Sequence, residues 1–254
     1  MSKGMAGRRV ALGLLACLAV NVCLAADPAL DPGKPNIFGV WLGTGGPDAD
    51  PRFRNTPWPK PDFTEWGAAQ SKLLTTPETP DECSPYGPVS YMSGGGFFPV
   101  EIARTTTGIV LLLESASNPR RIYMDGRKHP DDLDPTWGGH SIGRWEGDTL
   151  VVDTIGSNGR GRPLNGYLSG SVNSRADYSP RLLVSDKLHL VERIRLVGNG
   201  EFLEDELAID DPQTYRKPFT VKHYWQRRPD LEVLEYFCSD NRRPDAEGHT
   251  QEKP

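Results

Sequence analysis

The sequence predicts an all-β protein, an antiparallel up-and-down barrel of about eight to ten strands behind a long N-terminal loop segment. Three observations carry this. Short runs rich in Val, Ile, Leu and aromatic residues follow one another from Phe97 onward. Turn residues at hairpin spacing separate them, with no strand–helix alternation of the kind a parallel α/β sheet needs. The 254 residues include 27 Gly and 23 Pro for turns, and six Trp, eight Tyr and eight Phe to fill a core. A β-sandwich is the other arrangement such strands can take.

Residues 1–26 read as an export signal. Arg8-Arg9 precede the apolar run Val10–Val20, and Cys23-Leu24-Ala25-Ala26 offers small residues for cleavage. The run is shorter than the ~20 apolar residues that span a bilayer, so stable membrane insertion is not expected. Leu14-Leu15-Ala16-Cys17 is a looser alternative, a lipoprotein cleavage site. The formal charge of the whole chain is -5. Loss of residues 1–26 removes Lys3, Arg8 and Arg9 and no acids, which makes the mature chain more acidic still. An acidic surface argues against nucleic acid, whose phosphates demand a basic one. Export also makes one disulfide the simplest expectation for Cys83 and Cys238, the two cysteines left after cleavage. On the chain-entropy picture such a long closed loop is worth up to ~4–5 kcal/mol.

Residues 27–96 form a Pro-rich extended segment. It holds a first strand at Ile37–Leu42 and a short helix at Thr64–Leu74. A loop this long is usually a lid, an arm or a compact excursion. Residues 97–241 form the barrel, with strands at Phe97–Arg104, Gly108–Ser115, Arg120–Met124, His140–Trp145, Thr149–Ile155, Lys187–Val197, Glu201–Asp210, Phe219–Gln226 and Leu231–Cys238. Residues 242–254 read as a disordered tail.

One hairpin specifies its own register. A turn at Asn199-Gly200 sets Arg195 opposite Glu204 and Arg193 opposite Glu206 on one face. The other face collects Leu190, Ile194, Leu196, Leu203, Leu207 and Ile209, and a one-residue slip destroys both patterns. Two acids remain on that apolar face: Glu192, and Asp205 diagonally across from it. Buried carboxylates need a cation, hydrogen bonds, a proton or a wet cavity. A ligand-sized barrel interior supplies the cavity and would tune both acids for acid–base work. An ion pair with an inward arginine, or an exposed strand end, is the structural alternative.

A second constellation lies in His140–Thr154. With Glu146-Gly147 as a two-residue turn, His140 faces Asp153, an imidazole–carboxylate pair suited to general-base work. With a three-residue loop, Ser141 faces Asp153 instead. The run Trp145–Leu150 is equally a plain folding signal. The loop Asp125–Asp134 matches neither a Ca²⁺ loop nor a zinc helix, and no nucleotide-binding fingerprint occurs. No metal or cofactor is therefore expected. In the last hairpin, His223, Glu235 and Tyr236 are side chains that either face the interior or serve packing.

From Arg121-Ile122-Tyr123-Met124-Asp125-Gly126-Arg127 through His140-Ser141-Ile142-Gly143-Arg144-Trp145-Glu146-Gly147-Asp148-Thr149-Leu150-Val151-Val152-Asp153-Thr154, the chain resembles a large family of exported bacterial proteins of unassigned function. Asp210-Asp211-Pro212, Tyr215, Pro218 and Leu234-Glu235-Tyr236-Phe237-Cys238 extend the likeness. That family implies export and brings no catalytic assignment. Gly156–Pro180 departs from its pattern, being richer in Ser and Asn. Phe38-Gly39-Val40-Trp41, a Gly-x-Trp on the first strand, is similar to lipocalin-like barrels.

Together these features point to an exported, lipocalin-like barrel that holds a small, partly apolar molecule. Its candidate ligand-binding residues are Tyr123, Arg144, Leu207, His223, Glu235 and Tyr236. The alternative is a cofactor-free lyase, isomerase or hydratase using inward acid–base residues, His140, Asp153, Glu192 and Asp205. A third reading is an envelope interaction module presenting Trp58, Trp66 and Trp137.

Overall fold

The computed structural model describes residues 33–44, 50–56, 58–73, 85–92, 98–116, 118–161, 183–237, 242–244 and 250–252. The signal segment, Cys83, Cys238 and most of the Gly156–Pro180 loop lie outside the described residues.

The barrel is present. Nine strands, β1 (Gly39–Gly43), β2 (Val100–Thr105), β3 (Gly108–Leu113), β4 (Arg120–Tyr123), β5 (His140–Glu146), β6 (Thr149–Ile155), β7 (His189–Val197), β8 (Phe202–Asp210) and β9 (Phe219–Arg227), form a closed sheet in sequence order. β1 seals it by pairing Trp41 with Arg227, Leu42 with Gln226 and Gly43 with Trp225. Closure leaves the barrel wall no open edge, the main liability of a β-sheet.

Two expectations are corrected. The wall is not wholly antiparallel, because β4 and β5 run parallel, Ile122 beside Ser141 and Tyr123 beside Ile142. A parallel pair cannot be joined by a tight turn. Residues 124–139 therefore cross over, and this brings His129 beside β5 and β6. The last strand expected, Leu231–Cys238, does not form, and residues 231–237 carry no strand pairing. The reason is closure: the free edge of β9 is already taken by β1.

The β7–β8 register is the one the charges demand, with Arg195 opposite Glu204, Arg193 opposite Glu206 and Leu196 opposite Leu203. Asn199 and Gly200 both take positive φ, 58° and 87°, as a primed turn requires. Arg195 bonds Glu204 at 2.7 Å. Arg193 instead bonds Glu146 at 3.0 Å, while Lys222 takes Glu206 at 2.9 Å. The β5–β6 hairpin turns one residue later than expected, at Gly147-Asp148, so Glu146 pairs Thr149, Ile142 faces Asp153 and His140 faces Ile155. Gly147 is the cause: its φ of 60° fits the first central position of a type II′ turn.

Helix α1 (Glu65–Leu73) forms where expected, its first turn capped by Thr64, whose Oγ1 accepts from the Gly67 amide at 3.0 Å. A second helical turn, α2 (Pro88–Tyr91), is buried along its whole length. Sequence periodicity has no power over a single turn, and the Pro-rich stretch around it reads as loop. Val89 joins Leu190, Leu207, Ile209 and Val221 in one apolar cluster. Tyr91 and Met92 join Trp41, Val100, Leu111, Leu150, Ile194 and Trp225 in another. Residues 242–244 and 250–252, where a disordered tail was expected, pair as two short strands, β10 and β11. Among the described residues, no helix is long and apolar enough to cross a membrane.

Candidate functional site

Strand alternation sends Leu190, Glu192 and Ile194, Leu203, Asp205 and Leu207, and Val221, His223 and Trp225 to the buried side. Glu192 and Asp205 are fully buried and His223 nearly so. Ile194 pairs Asp205 and Glu192 pairs Leu207, so the two acids are diagonal neighbours, as the register demands.

Their environments then diverge. Glu192 meets Arg120, which β4 turns inward. Arg120 Nη1 donates to Oε1 at 2.7 Å and Nη2 donates to Oε2. Nη2 also reaches Thr154 Oγ1 at 3.1 Å and Ser141 Oγ at 3.4 Å, and those hydroxyls bond each other at 2.8 Å. Burial works against the guanidinium's charge, and Glu192, by charge and by hydrogen bond, holds the Arg120 pKa above its usual value. Glu192 is thus the buried ion pair of the structural alternative. Arg120 was missed in the sequence, although its spacing from Ile122 places it on the apolar face.

Asp205 has no such partner. Neither carboxyl oxygen makes a hydrogen bond. Burial first, and then the charge of Glu192, push its pKa well up against the opposing pull of Arg120. Directly across the ladder stands His223, whose Nε2 is also unpartnered and whose pKa burial lowers to about 4. Tyr91 Oη, Arg120 Nε and Trp225 Nε1 are buried without partners as well. Burial raises the Tyr91 pKa. Trp58 stands edge-on to His223, 5.4 Å between centroids. Another buried aspartate shows the usual outcome. Asp211 accepts from Ser185 N at 2.6 Å, Ser185 Oγ at 2.7 Å and Thr214 N at 3.1 Å. Buried polar atoms are ordinarily satisfied, so these unpartnered groups stand out among the described residues.

The second constellation faces the other way. His140, Asp153 and His189 alternate with buried neighbours on β5, β6 and β7, and stand on the outer wall. His140 and Asp153 do not pair directly. The crossover residue His129 joins them, its Nε2 at 3.2 Å from Asp153 Oδ1 and its Nδ1 at 2.8 Å from His140 Nδ1. His189 Nε2 shares the same carboxylate oxygen at 3.2 Å. A carboxylate only accepts, so His129 donates through Nε2. In the neutral ring its Nδ1 then accepts from His140 Nδ1, leaving the lone pair of His140 on Nε2. Tyr123 stacks on His140 at 5.1 Å and carries Arg127 at 3.9 Å from its ring centroid. Burial, then the charges of His129 and Arg127, lower the His140 pKa. His129 and His189 left no sequence signal, one sitting in an irregular loop and the other at a strand end.

The remaining predicted residues separate from both groups. Leu207 is fully buried beside Asp205. Arg144 points outward and bonds Glu146 at 2.7 Å. Glu235 is exposed and Tyr236 packs on Phe98, 5.3 Å between centroids; neither lies on a barrel strand, so the inward placement considered for them is corrected. Of the three tryptophans offered as a partner surface, only Trp66 counts as exposed, whereas Trp58 packs on Phe219 and His223 and Trp137 is half-buried. Among the described residues no three His, Cys, Asp or Glu side chains are set to hold a metal ion.

Comparison with protein-family models, curated proteins and solved structures finds no match.

Proposed function

We propose that this chain is an exported barrel that binds a small, partly apolar molecule in its interior. The carrying observation is the group of unsatisfied buried atoms on Asp205, His223, Tyr91 and Trp225, set among Leu207, Val221 and other apolar side chains. Ligand sites have this composition, mostly apolar with a few converging polar groups. The test is binding of the neutral dye Nile red, followed by fluorescence. The wild-type barrel enhances the dye's emission, and Leu207→Trp, which sets a bulkier side chain two residues from Asp205 on the same strand face, weakens binding at least tenfold while the far-UV spectrum stays the same. Dye binding indifferent to that substitution overturns the reading.

A second reading, a lyase, isomerase or hydratase, has one observation in its favour. Asp205, whose pKa burial pushes well up, and His223, whose pKa burial lowers to about 4, sit opposite each other in the places of an acid and a base. Export carries its own test. In an oxidising compartment Cys83 and Cys238 form a bridge, so thiol titration of the unreduced, denatured mature protein finds no free thiol, and two free thiols refute the bridge.

A further inference from the structure

We propose that the interior ligand carries an organic ammonium group, with Asp205 as its counter-ion; the inference rests on the small-molecule-binding reading above. The argument begins with charge. Among the described residues, the inward faces of the barrel strands hold three buried groups that ordinarily carry charge at neutral pH: Arg120, Glu192 and Asp205. Arg120 and Glu192 cancel, with both Glu192 oxygens bonded to the Arg120 terminal nitrogens. Nη2 is further engaged by Ser141 and Thr154, and Nε of the guanidinium has no partner. Asp205 is the surplus. It is one carboxylate with two free oxygens and no cation bonded to it. His223 does not supply the charge, because burial keeps its ring neutral down to a pH of about 4.

An uncompensated buried carboxylate is costly, and that cost is what pushes the Asp205 pKa well up. A ligand that brings a positive charge removes the cost. An anionic ligand adds to it, and a neutral ligand leaves it where it was. The hydrogen-bonding inventory selects the same group. An ammonium offers three donors and no acceptor. Besides the Asp205 carboxylate, the His223 ring through Nε2 and the Tyr91 hydroxyl are unpartnered and can accept. The aromatic rings of Trp225 and Tyr91 in the same core suit a cation on an apolar body. The unpartnered Trp225 Nε1 and Arg120 Nε are donors, and match an oxygen elsewhere on the same molecule.

Three probes with one apolar body and different charges test this: 2-phenylethylamine, 2-phenylethanol and 3-phenylpropionate. Each is titrated into the mature protein at neutral pH by calorimetry, beside Nile red as a charge-neutral reporter of the interior. The proposal expects the amine to bind at least tenfold tighter than the alcohol and the carboxylate weakest of all. Asp205→Asn is nearly isosteric and brings the amine down to the alcohol's level, its fold being checked by thermal melting. An amine that binds no better than the alcohol in the wild-type protein overturns the ammonium assignment whether or not the variant folds. An amine preference that survives Asp205→Asn overturns the role of Asp205. If Nile red still binds in either case, only the ligand class has failed. If Nile red and all three probes fail together, the binding reading itself has failed.

Discussion

The barrel carries two groupings of histidine and aspartate, one inside the wall and one outside, and the same residue types do different things in each. Inside, Asp205 and His223 face each other with no hydrogen bond to either carboxyl oxygen or to Nε2. Burial drives both toward their neutral forms, raising the acid and lowering the base. Outside, Asp153 is shared by His129 and His189, and a second imidazole, His140, continues the chain. There the hydrogen bonds fix which nitrogen bears a proton. The difference teaches that strand parity decides the chemistry. One step along a strand moves a side chain from a medium that suppresses charge to one that tolerates it.

The largest effect that sharpens this contrast comes from the buried ion pair. Arg120→Met leaves Glu192 buried and unpaired, and urea denaturation should register a loss of about 3–5 kcal/mol. The double change Arg120→Met/Glu192→Leu recovers most of it, because an apolar pair removes both the attraction and the desolvation cost. No such loss follows removal of an outer residue. A single-variant loss below about 1 kcal/mol would place the pair in water rather than in the core.

Next in size is a pH effect confined to the interior. The folded-state pKa of His223 lies below the unfolded value, so its contribution is complete above the ordinary histidine range. It is lost as pH falls from about 6.5 toward about 4. At ~1.4 kcal/mol per unit this amounts to roughly 3 kcal/mol for so buried a group. His223→Gln should flatten that limb in denaturation curves taken across the window. Asp205 works with the opposite sign. Its folded pKa is raised, so stability is greatest below the ordinary aspartate range and declines as pH rises through its folded value. An unchanged acid limb in the His223 variant would mean that the ring is protonated in the folded protein.

The smallest effect belongs to the outer wall. His129→Ala should alter stability by no more than about 0.5–1 kcal/mol, as partly exposed side chains do. It should nonetheless change the nitrogen NMR signature of His140. The wild-type ring shows Nδ1 protonated and Nε2 bare, and the variant shows a mixture of tautomers. A wild-type ring already mixed would break the proposed chain.

The interior was more legible in the sequence than the outer wall, and the reasons are local. The β7–β8 hairpin combines Asn199-Gly200, two arginine–glutamate pairs and an apolar face, so turn chemistry and patterning agree on one register and deliver Glu192 and Asp205 to their places. In β5–β6 the glycine alone chooses among neighbouring turns, and the expected turn was off by one residue. That His140 and Asp153 share a face survived that error, whereas their direct pairing and their inward placement as acid–base residues did not. Contacts made through other segments left no trace. Arg120 meets Glu192 across four strands of the wall, His129 arrives by a crossover, and the edge assigned to Leu231–Cys238 belongs to β1.

The junction of Trp41 with Arg227 joins the first strand of the wall to the last. Strand pairs between chain neighbours form at little entropic cost, whereas this one must wait for every intervening strand. The barrel is therefore expected to zip from its hairpins and latch at that seam as the final and slowest event.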